Sequence, residues 1–361
     1  MRILILANND VGLYRFRKEL IEELLNLGHD VHISLPYGDL VRPLESLGCI
    51  FINTNIDRRG MNPKTDYELL IKYRRMMKEI KPDLVITYTI KPNIYGGIAA
   101  RQAKIPYAVN ITGLGTAFEK PCLIKKLVIN LYKYALKKAK VIFFENSSNR
   151  DEMVSYGCCA SEQTCVLNGA GVNTQTFAYQ PYPHNKEVRF LFVGRVMKEK
   201  GVDELFNAMR QLLAEGECCF LDVVGPLEED YKAELEQFEV QGWLKYHGYQ
   251  EDVRPFIKNC DCFVLPSYHE GMANTNLECA SSGRPVITSN IPGCKEAVID
   301  GVSGFLCEPR NMESLHFVMR KMINTDDREQ MGRMGRMFME KEFSKEKVVF
   351  ETISAINIEV I

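Results

Sequence analysis

The chain has 361 residues, of which 46% are hydrophobic and 25% charged, as in ordinary soluble globular proteins. This length usually corresponds to two domains or somewhat more. The formal net charge of −2 provides no overall basic field, so nucleic acid is not an expected partner. An apolar run of about 18 residues and a signal-peptide pattern are both missing from the sequence, and we therefore expect a cytoplasmic protein.

The first half of the chain alternates short apolar runs with amphipathic helical segments. Because these runs are continuously apolar, they predict strands buried on both faces of a parallel sheet, with helices on either side. The predicted strands are 3–7, 31–35, 50–53, 84–88, 107–111 and 141–144. The clearest predicted helices between them are 14–27, 64–80 and 93–103.

A second series of the same kind follows, and from about residue 311 the pattern is helical. Its predicted strands are 189–194, 220–224, 245–247, 262–265, 285–288 and 304–306. The segment 177–186 contains two prolines and little apolar periodicity, which predicts a linker. We therefore expect two doubly wound α/β domains, 1–177 and 188–343, with a ligand cleft between them. The final segment, 344–361, could pack back across the first domain.

Cysteine is unusually frequent, with 12 residues, but there is no Cys-x-x-Cys pair. The six histidines do not combine with the cysteines at metal-ligand spacing. Most of the cysteines lie in apolar runs, where a free thiol packs as a small hydrophobic group. We therefore expect buried structural thiols, no metal site and no other cofactor.

The most informative stretch is 270–278, Glu-Gly-Met-Ala-Asn-Thr-Asn-Leu-Glu, which follows the predicted strand 262–265. Its two carboxylates, Glu270 and Glu278, flank a turn of small residues and the start of a predicted helix. Free N–H groups and the positive end of a helix dipole favour phosphate there, and Gly271 lets the backbone approach a ligand. Glu278 could accept hydrogen bonds from sugar or ribose hydroxyls. The alternative is a solvated glutamate followed by one that merely starts a helix.

A second cluster, 194–201, also follows a predicted strand and precedes a helix. It reads Gly-Arg-Val-Met-Lys-Glu-Lys-Gly, so Arg195 and Lys200 can converge on one point above the sheet. A guanidinium beside an ammonium suits a diphosphate. Two anion-binding turns in one domain indicate a phosphate-containing ligand, whereas isolated surface cations would not. Neither turn has the Gly-x-Gly-x-x-Gly pattern of a dinucleotide site.

Together these motifs resemble the nucleotide-sugar domain of the retaining family 4 glycosyltransferases, which have the GT-B fold. The resemblance covers about 189–310 and includes Leu-Asp-Val-Val-Gly at 221–225 and Gly-x-x-Gly-Phe at 301–305. In the first half, Thr-Ile-Lys-Pro-Asn-Ile-Tyr-Gly at 89–96 and Asn-Ile-Thr-Gly-Leu-Gly at 110–115 are similar to a subgroup that builds bacterial surface polysaccharides or lipid-linked glycans.

The resemblance implies a retaining, metal-independent transfer of a sugar, with UDP as the expected nucleotide, to a lipid-linked or glycan acceptor. Arg195 and Lys200 would hold the donor diphosphate and stabilise the leaving group. Glu270 would contact the transferred sugar and Glu278 the ribose. The departing phosphate could take the acceptor proton, so no dedicated base is needed. The remaining donor residues expected are Gly194, the backbone amides of Gly271, Met272 and Ala273, and Asn274.

The first half departs from the family at one position. Many relatives have a histidine in the loop after the fourth strand, whereas this chain reads Thr-Tyr-Thr-Ile-Lys-Pro at 87–92. Thr89 or Lys91 could line the cleft in its place. Further acceptor-side residues expected from the resemblance are Gly12, Asn110 and Gly113. A solvated helix face is predicted for three cations of the first helix, Arg15, Arg17 and Lys18.

The segment 120–140 contains seven lysines and no acidic residue, and its leucines recur at helical spacing. A basic amphipathic helix can lie on an anionic membrane surface. The alternative is a helix that packs its apolar stripe on the sheet and leaves its lysines in solvent. The two arrangements are compatible, because the apolar stripe can face the sheet while the lysines face lipid headgroups. For a lipid-linked acceptor, we predict peripheral association with the inner face of the cell membrane.

Two other functions would fit the same architecture. One is a sugar-nucleotide epimerase, and the other is a non-catalytic protein that binds a sugar nucleotide. The two glutamates combined with Arg195 and Lys200 favour the transferase, because a binding protein has no need of all four groups. Release of nucleoside diphosphate only in the presence of acceptor would separate the three functions.

Overall fold

The computed structural model describes residues 1–57, 62–114, 118, 123–183 and 185–356. The chain divides into two compact units. The first unit is Met1–Ala170 together with the segment from Glu346 onward, and the second is Gly171–Lys345. Each unit contains one parallel sheet, which confirms the predicted α/β class.

The first unit contains a seven-stranded sheet. Its strands are β1 (Arg2–Leu6), β2 (Asp30–Leu35), β3 (Ile50–Asn53), β4 (Leu84–Tyr88), β5 (Tyr107–Ile111), β6 (Val141–Phe144) and β7 (Thr164–Val166). Their order in the sheet is β3-β2-β1-β4-β5-β6-β7. The helices are α1 (Asp10–Asn26), α2 (Val41–Ser46), α3 (Pro63–Ile80), α4 (Gly97–Ala103), α5 (Leu123–Leu136) and α6 (Ser147–Ser155), with a π-helical turn (Pro92–Gly96) before α4.

Both faces of this first sheet are covered. Leu4 and Leu6 of β1 pack with α3, α4 and α5, whereas Ile3 and Ile5 pack with α1 on the opposite face. Successive strand residues point to opposite faces, so burial on both sides requires the continuous apolar runs seen in the sequence.

The second unit contains a six-stranded sheet. Its strands are β8 (Val188–Val193), β9 (Cys219–Val224), β10 (Leu244–Tyr246), β11 (Cys262–Leu265), β12 (Val286–Ser289) and β13 (Gly304–Cys307). Their order is β10-β9-β8-β11-β12-β13. The helices are α7 (Val202–Ala214), α8 (Lys232–Gln241), α9 (Arg254–Asn259), α10 (Asn274–Ser281), α11 (Met312–Ile323) and α12 (Arg328–Glu342), and 3-10 turns occupy Lys198–Lys200 and Lys295–Ala297.

The last helix, α13 (Lys345–Ala355), contributes to the core of the first unit. Its residues Val348 and Ile353 belong to the same apolar cluster as α1. The Lys140 ammonium donates a hydrogen bond to the Ile356 carbonyl at 2.8 Å, which ties the end of the helix to that unit. Residues 357–361 of the predicted final segment lie outside the described residues.

The boundary between the units lies earlier than the sequence predicts, because the predicted linker 177–186 belongs to the second unit. Arg284, which is fully buried, donates to the carbonyl oxygens of Gln180 at 3.0 Å and Pro181 at 2.9 Å. The Tyr182 hydroxyl donates to the Asp261 carbonyl at 3.0 Å. Such side-chain bonds to backbone fix an irregular segment without leaving a periodic signal in its sequence.

Each predicted strand is found to within one residue at either end. Strand β7 was not predicted, because it has only three residues and all of them are partly exposed. Within the described ranges, no helix combines the length and the apolar character needed to cross a lipid bilayer.

Candidate active site

The strand order of each sheet identifies where a ligand is expected. The order reverses between β1 and β4 in the first unit and between β8 and β11 in the second. Loops leaving the carboxyl ends of such neighbouring strands diverge and form a crevice in doubly wound sheets. The segments after β8 and β11 contain Lys200 and Glu270, and those after β1 and β4 contain Gly12 and Thr89. The predicted site residues therefore follow the strands at both reversals.

In the second unit, backbone contacts join the loop that follows β8 to the loop that follows β11. The Tyr268 amide donates to the Glu199 carbonyl at 2.9 Å. Gly201 has a φ of +72°, and a Cβ at this position would lie 2.1 Å from the carbonyl oxygen of Pro266. Glycine at 201 therefore permits both the left-handed backbone and the close crossing.

This crossing brings Lys200, which is predicted to hold the diphosphate, to Glu270, which is predicted to contact the transferred sugar. The Lys200 ammonium binds Glu270 Oε1 directly, and the two side chains are only 17% and 13% exposed. Arg195 differs, because its side chain is 44% exposed and lies 3.9 Å from a carboxylate oxygen of Glu228. The two cations predicted to act together thus have different surroundings: Lys200 is enclosed and paired with an acid, whereas Arg195 is open to solvent.

A third loop of the second unit, which follows β12, contacts the turn at 270–273. The Ala273 amide donates to the Gly293 carbonyl at 2.7 Å. The protein itself therefore supplies an acceptor for this amide, and its contact with a ligand stays a prediction. A Cβ on Gly293 would lie 2.5 Å from the Gly271 oxygen and 2.6 Å from the Glu270 oxygen. Sequence reasoning missed Gly293, although Pro-Gly after an apolar strand is a turn signal.

Helix α10 begins directly after the glycine turn. Its N-cap residue is Ala273, which has no side chain able to accept from the first amides of the helix. Met272 points into the core and can offer only its backbone to a ligand. The Oδ1 atom of Asn274 is buried without a hydrogen-bond partner in the described part of the chain. The uncapped N-terminus of α10 can bind an anion, and the buried Asn274 Oδ1 can accept a hydrogen bond. Together they suit an anion that also carries hydroxyl groups.

Glu278 and Gly194 occupy the positions that their motifs predict. Glu278 lies one turn into α10, the helix predicted to start after the turn of small residues. Gly194 follows β8, and its carbonyl oxygen would be 1.8 Å from a Cβ on Gly225, so the loops after β8 and β9 also cross closely. His269 is exposed.

In the first unit, Gly12 lies in the first turn of α1. Its amide donates to Asn9 Oδ1 at 2.5 Å, and a Cβ on Gly12 would approach that oxygen to 3.0 Å. Gly12 therefore makes room for the side chain that caps the helix. Gly113 follows β5 with a φ of +146°, a backbone conformation that favours glycine.

Thr89 has a strained backbone. It has a φ of +74°, which is a rare conformation for a β-branched residue. Its hydroxyl is buried and has no hydrogen-bond partner among the described residues. Strain of this kind persists only where the surrounding structure enforces it, and it is common at functional sites.

Lys91 is held by an acidic partner. Its ammonium lies 2.7 Å from Asp66 Oδ1, and the Tyr95 hydroxyl donates to Asp66 Oδ2 at 2.9 Å. Burial, together with the bond to Asp66, raises the pKa of Tyr95, so this phenol remains a hydrogen-bond donor at neutral pH. Lys91 is thus fixed in position at the end of the loop that starts with Thr89.

Asn110 has a supporting position, unlike the ligand-facing one predicted. It is buried, and its side-chain amide donates to the Thr87 carbonyl at 3.3 Å. The backbone carbonyl of Asn110 accepts a hydrogen bond from Asn93 Nδ2 at 2.8 Å. Asn93 Oδ1 in turn accepts one from the Thr87 hydroxyl at 2.8 Å. This network holds the π-helical turn against the carboxyl ends of β4 and β5.

The predicted solvated helix face is wrong for Arg17. Its side chain is buried, pairs with Glu145 at 2.8 Å, and lies over the ring of Tyr88 at 5.0 Å from the centroid. Charge spacing along α1 cannot reveal this burial, because Glu145 is supplied by the distant end of β6.

Within the described ranges, no group of three or more His, Cys, Asp or Glu side chains could hold a metal ion. The cysteines of the described part are free thiols, and most are buried. Burial raises the pKa of the Cys294 thiol, which lies near Glu270 and Lys200, so this thiol is neutral at physiological pH.

Comparison with known families identifies the chain. Residues 2–146 match the family model "Glycosyl transferase 4-like", and residues 175–338 match "Glycosyl transferases group 1". The chain belongs to the family 4 glycosyltransferases. The residues Gly194, Arg195, Lys200, Glu270 and Glu278 all lie inside the second match.

Known relatives of this glycosyltransferase span most of its length. The N,N'-diacetylbacillosaminyl-diphospho-undecaprenol alpha-1,3-N-acetylgalactosaminyltransferase of Campylobacter jejuni is 28% identical over 87% of each chain. A UDP-Gal:alpha-D-GlcNAc-diphosphoundecaprenol alpha-1,3-galactosyltransferase of Escherichia coli is also 28% identical, over 88% of this chain and 85% of that protein. The Anabaena protein HepE, solved with UDP and glucose, superposes with a TM-score of 0.80 at 18% identity and 99% coverage of both chains, which supports the GT-B fold.

Proposed function

We propose that this glycosyltransferase transfers a sugar from a UDP-sugar to a lipid diphosphate-linked acceptor, with retention of the anomeric configuration and without a divalent metal. The observation that carries the proposal is the enclosed Lys200–Glu270 pair beside the uncapped start of α10. The names of the two relatives specify substrates linked to undecaprenol through a diphosphate, which supports a lipid diphosphate-linked acceptor here. One of these names also specifies UDP-Gal as the donor, which supports UDP as the nucleotide.

Each donor group then has a chemical task. The Lys200 ammonium, the Arg195 guanidinium and the first amides of α10 stabilise the negative charge that develops on the leaving diphosphate. Glu270 accepts hydrogen bonds from hydroxyls of the transferred sugar, and Glu278 accepts them from the ribose. With two side-chain cations at the diphosphate, the transfer does not depend on a metal for charge stabilisation.

The reaction exchanges one C–O bond for another on the same face of the sugar. The bond from the anomeric carbon to the phosphate oxygen breaks, and a bond to the acceptor oxygen forms. The acceptor proton moves to the departing phosphate oxygen, which is within hydrogen-bond reach in a same-face attack. We assign acceptor recognition to the first unit, through Thr89, Lys91 and the backbone at Gly12 and Gly113.

Helix α5 supports peripheral binding to a membrane. Its buried face, with Val128 and Tyr132, packs in the core of the first unit. Its outer face carries the exposed side chains of Ile124, Leu127 and Tyr134. The exposed lysines of this helix and of the turn that follows it include Lys126, Lys133, Lys137 and Lys138. Exposed apolar groups surrounded by lysines suit an anionic bilayer surface, where each lysine contributes about 1 kcal/mol.

The transfer is tested by UDP release. Purified protein is incubated with UDP-galactose, UDP-glucose or UDP-N-acetylgalactosamine, with and without a polyprenyl diphosphate-linked N-acetylglucosamine. One donor should release UDP only when acceptor is present, and the rate should persist in chelator. The NMR coupling of the new anomeric proton reports retention. Acceptor-independent conversion of the sugar would instead indicate an epimerase, and binding without turnover a non-catalytic protein.

The membrane contact is tested with vesicles. Lys126, Lys133, Lys137 and Lys138 are changed together to Gln, and binding to vesicles with and without phosphatidylglycerol is measured by sedimentation. Wild-type protein should bind only the anionic vesicles and dissociate as salt increases, whereas the variant should stay in solution. A control variant with Lys186, Lys232, Lys258 and Lys295 changed to Gln has the same net charge and should still bind. Equal loss of binding in both variants would contradict a role specific to α5.

A further inference from the structure

We infer that Glu270 makes the donor site select a sugar-bearing nucleotide over free UDP, by competing with the diphosphate for Lys200. The carboxylate binds the same ammonium that the proposed function assigns to the diphosphate. The inference therefore rests on that proposed function. It adds a specificity task to Glu270 and explains how the product UDP leaves.

The pair is enclosed, so its charges interact strongly. Both side chains are mostly buried, and the loops that carry them are joined by the amide of Tyr268 and the crossing at Gly201. A diphosphate that takes the ammonium leaves the Glu270 carboxylate without its cation. A buried carboxylate deprived of its partner is strongly destabilised unless another donor replaces the cation.

Sharing the ammonium does not remove this penalty. A lysine has three N–H donors and could bind a carboxylate and a phosphate together. The two anions would then lie within a few ångströms of each other in a poorly solvated site, where like charges repel strongly. Free UDP ends in a phosphate monoester that is largely doubly charged at neutral pH, whereas the phosphates of a UDP-sugar are singly charged. Glu270 therefore opposes UDP more than it opposes the UDP-sugar.

The sugar of the UDP-sugar supplies hydrogen-bond donors that replace the ammonium lost by the Glu270 carboxylate. Its hydroxyl groups are hydrogen-bond donors, and charge-assisted bonds to a carboxylate are strong. A site built to accept hydrogen bonds from hydroxyls discriminates strongly against a ligand without them, since its own groups stay unpaired. After transfer the product UDP lacks the sugar, Lys200 returns to Glu270, and release of UDP is favoured.

The test compares UDP with a UDP-sugar in calorimetric titrations of the full-length protein. The probes are UDP and whichever of UDP-galactose, UDP-glucose and UDP-N-acetylgalactosamine binds the wild type most tightly. Glu270→Gln keeps the size of the side chain and removes its charge, and Glu270→Ala is a second variant that removes the carboxylate. The control is Glu236→Gln, an exposed carboxylate on α8 paired with Lys232. Thermal unfolding of each variant checks its folding.

Both Glu270 variants should bind UDP about tenfold more tightly than the wild type, while the UDP-sugar gains nothing or becomes weaker. The preference for the UDP-sugar should fall by about tenfold or more, and Glu236→Gln should leave both affinities unchanged. If wild-type protein binds UDP but neither Glu270 variant binds it more tightly, the competition is wrong and the donor site stands. If wild-type protein binds neither UDP nor any of the UDP-sugars, the proposed donor site is wrong and the competition fails with it.

Discussion

The second unit holds its site residues by close backbone crossings, whereas the first unit holds them by networks of side chains. Lys200 and Glu270 meet because the loops after β8, β11 and β12 touch at Gly201 and Gly293. In the first unit, Lys91 is held by Asp66 and Tyr95, and Thr89 remains strained with an unpaired hydroxyl in the described structure. Under the proposed function, the donor side is therefore fixed by backbone contacts, and the acceptor side is set by polar side chains, which can change without altering the backbone.

The largest effect is expected from Lys200→Met. Loss of the ammonium removes a donor to the developing charge on the diphosphate, and turnover should fall about a hundredfold or more. The matched control is Lys198→Met, an exposed lysine of the same 3-10 turn. Steady-state rates with saturating UDP-sugar give the comparison. A similar loss in both variants would show that the turn's net charge matters rather than the Lys200–Glu270 contact.

The importance of backbone crossings is tested by comparing two glycines with left-handed backbones. Gly293→Ala places a Cβ 2.5 Å from the Gly271 oxygen, whereas a Cβ added to Gly301, at φ +76°, would meet no atom within 4 Å. We expect Gly293→Ala to lower the free energy of unfolding by about 3 kcal/mol and Gly301→Ala by about 1 kcal/mol, because only the first adds a clash to the backbone strain. Denaturant unfolding measures both.

UDP-sugar binding gives a second outcome for the same pair. Gly293→Ala should weaken binding by displacing the turn at Glu270, and Gly301→Ala should not. Equal binding by the two variants would contradict the idea that the crossing after β12 positions Glu270.

The same contrast explains what the sequence could predict. Apolar runs predict the strands to within one residue. The glycine and cation motifs around Lys200 and Glu270 are local in sequence, so a candidate site in the second unit can be proposed from them. The Arg17–Glu145 pair and the Thr87–Asn93–Asn110 network join residues from separate strands and helices. No local pattern marks such partners, and for the same reason Arg284, which binds carbonyls of the predicted linker, was not foreseen.

The side-chain network of the first unit is tested by Asn93→Ala. The change leaves the Thr87 hydroxyl and the Asn110 carbonyl without their buried partner, and we expect a loss of about 2 kcal/mol in the free energy of unfolding. The control, Asn130→Ala, is exposed on α5 and should change stability little. If Asn93→Ala is as mild as the control, the network does not stabilise the turn and the contrast between the units weakens.

The smallest effect on stability is expected at Thr89, where the first unit stores strain. Thr89→Gly relieves the positive φ and removes the buried hydroxyl, so the free energy of unfolding should rise by about 1 kcal/mol after the entropic cost of glycine. Thr89→Ala removes the hydroxyl but keeps most of the strain, and it should stabilise less. If the hydroxyl binds substrate, turnover should fall about tenfold in both variants, the scale of one hydrogen bond. The control is Lys104→Gly, where a residue at φ +59° merely ends α4: it should gain stability with turnover unchanged. Gains in stability without loss of turnover at both positions would mean that Thr89, like Lys104, is only a backbone turn, and the acceptor contact would then have to come from Lys91.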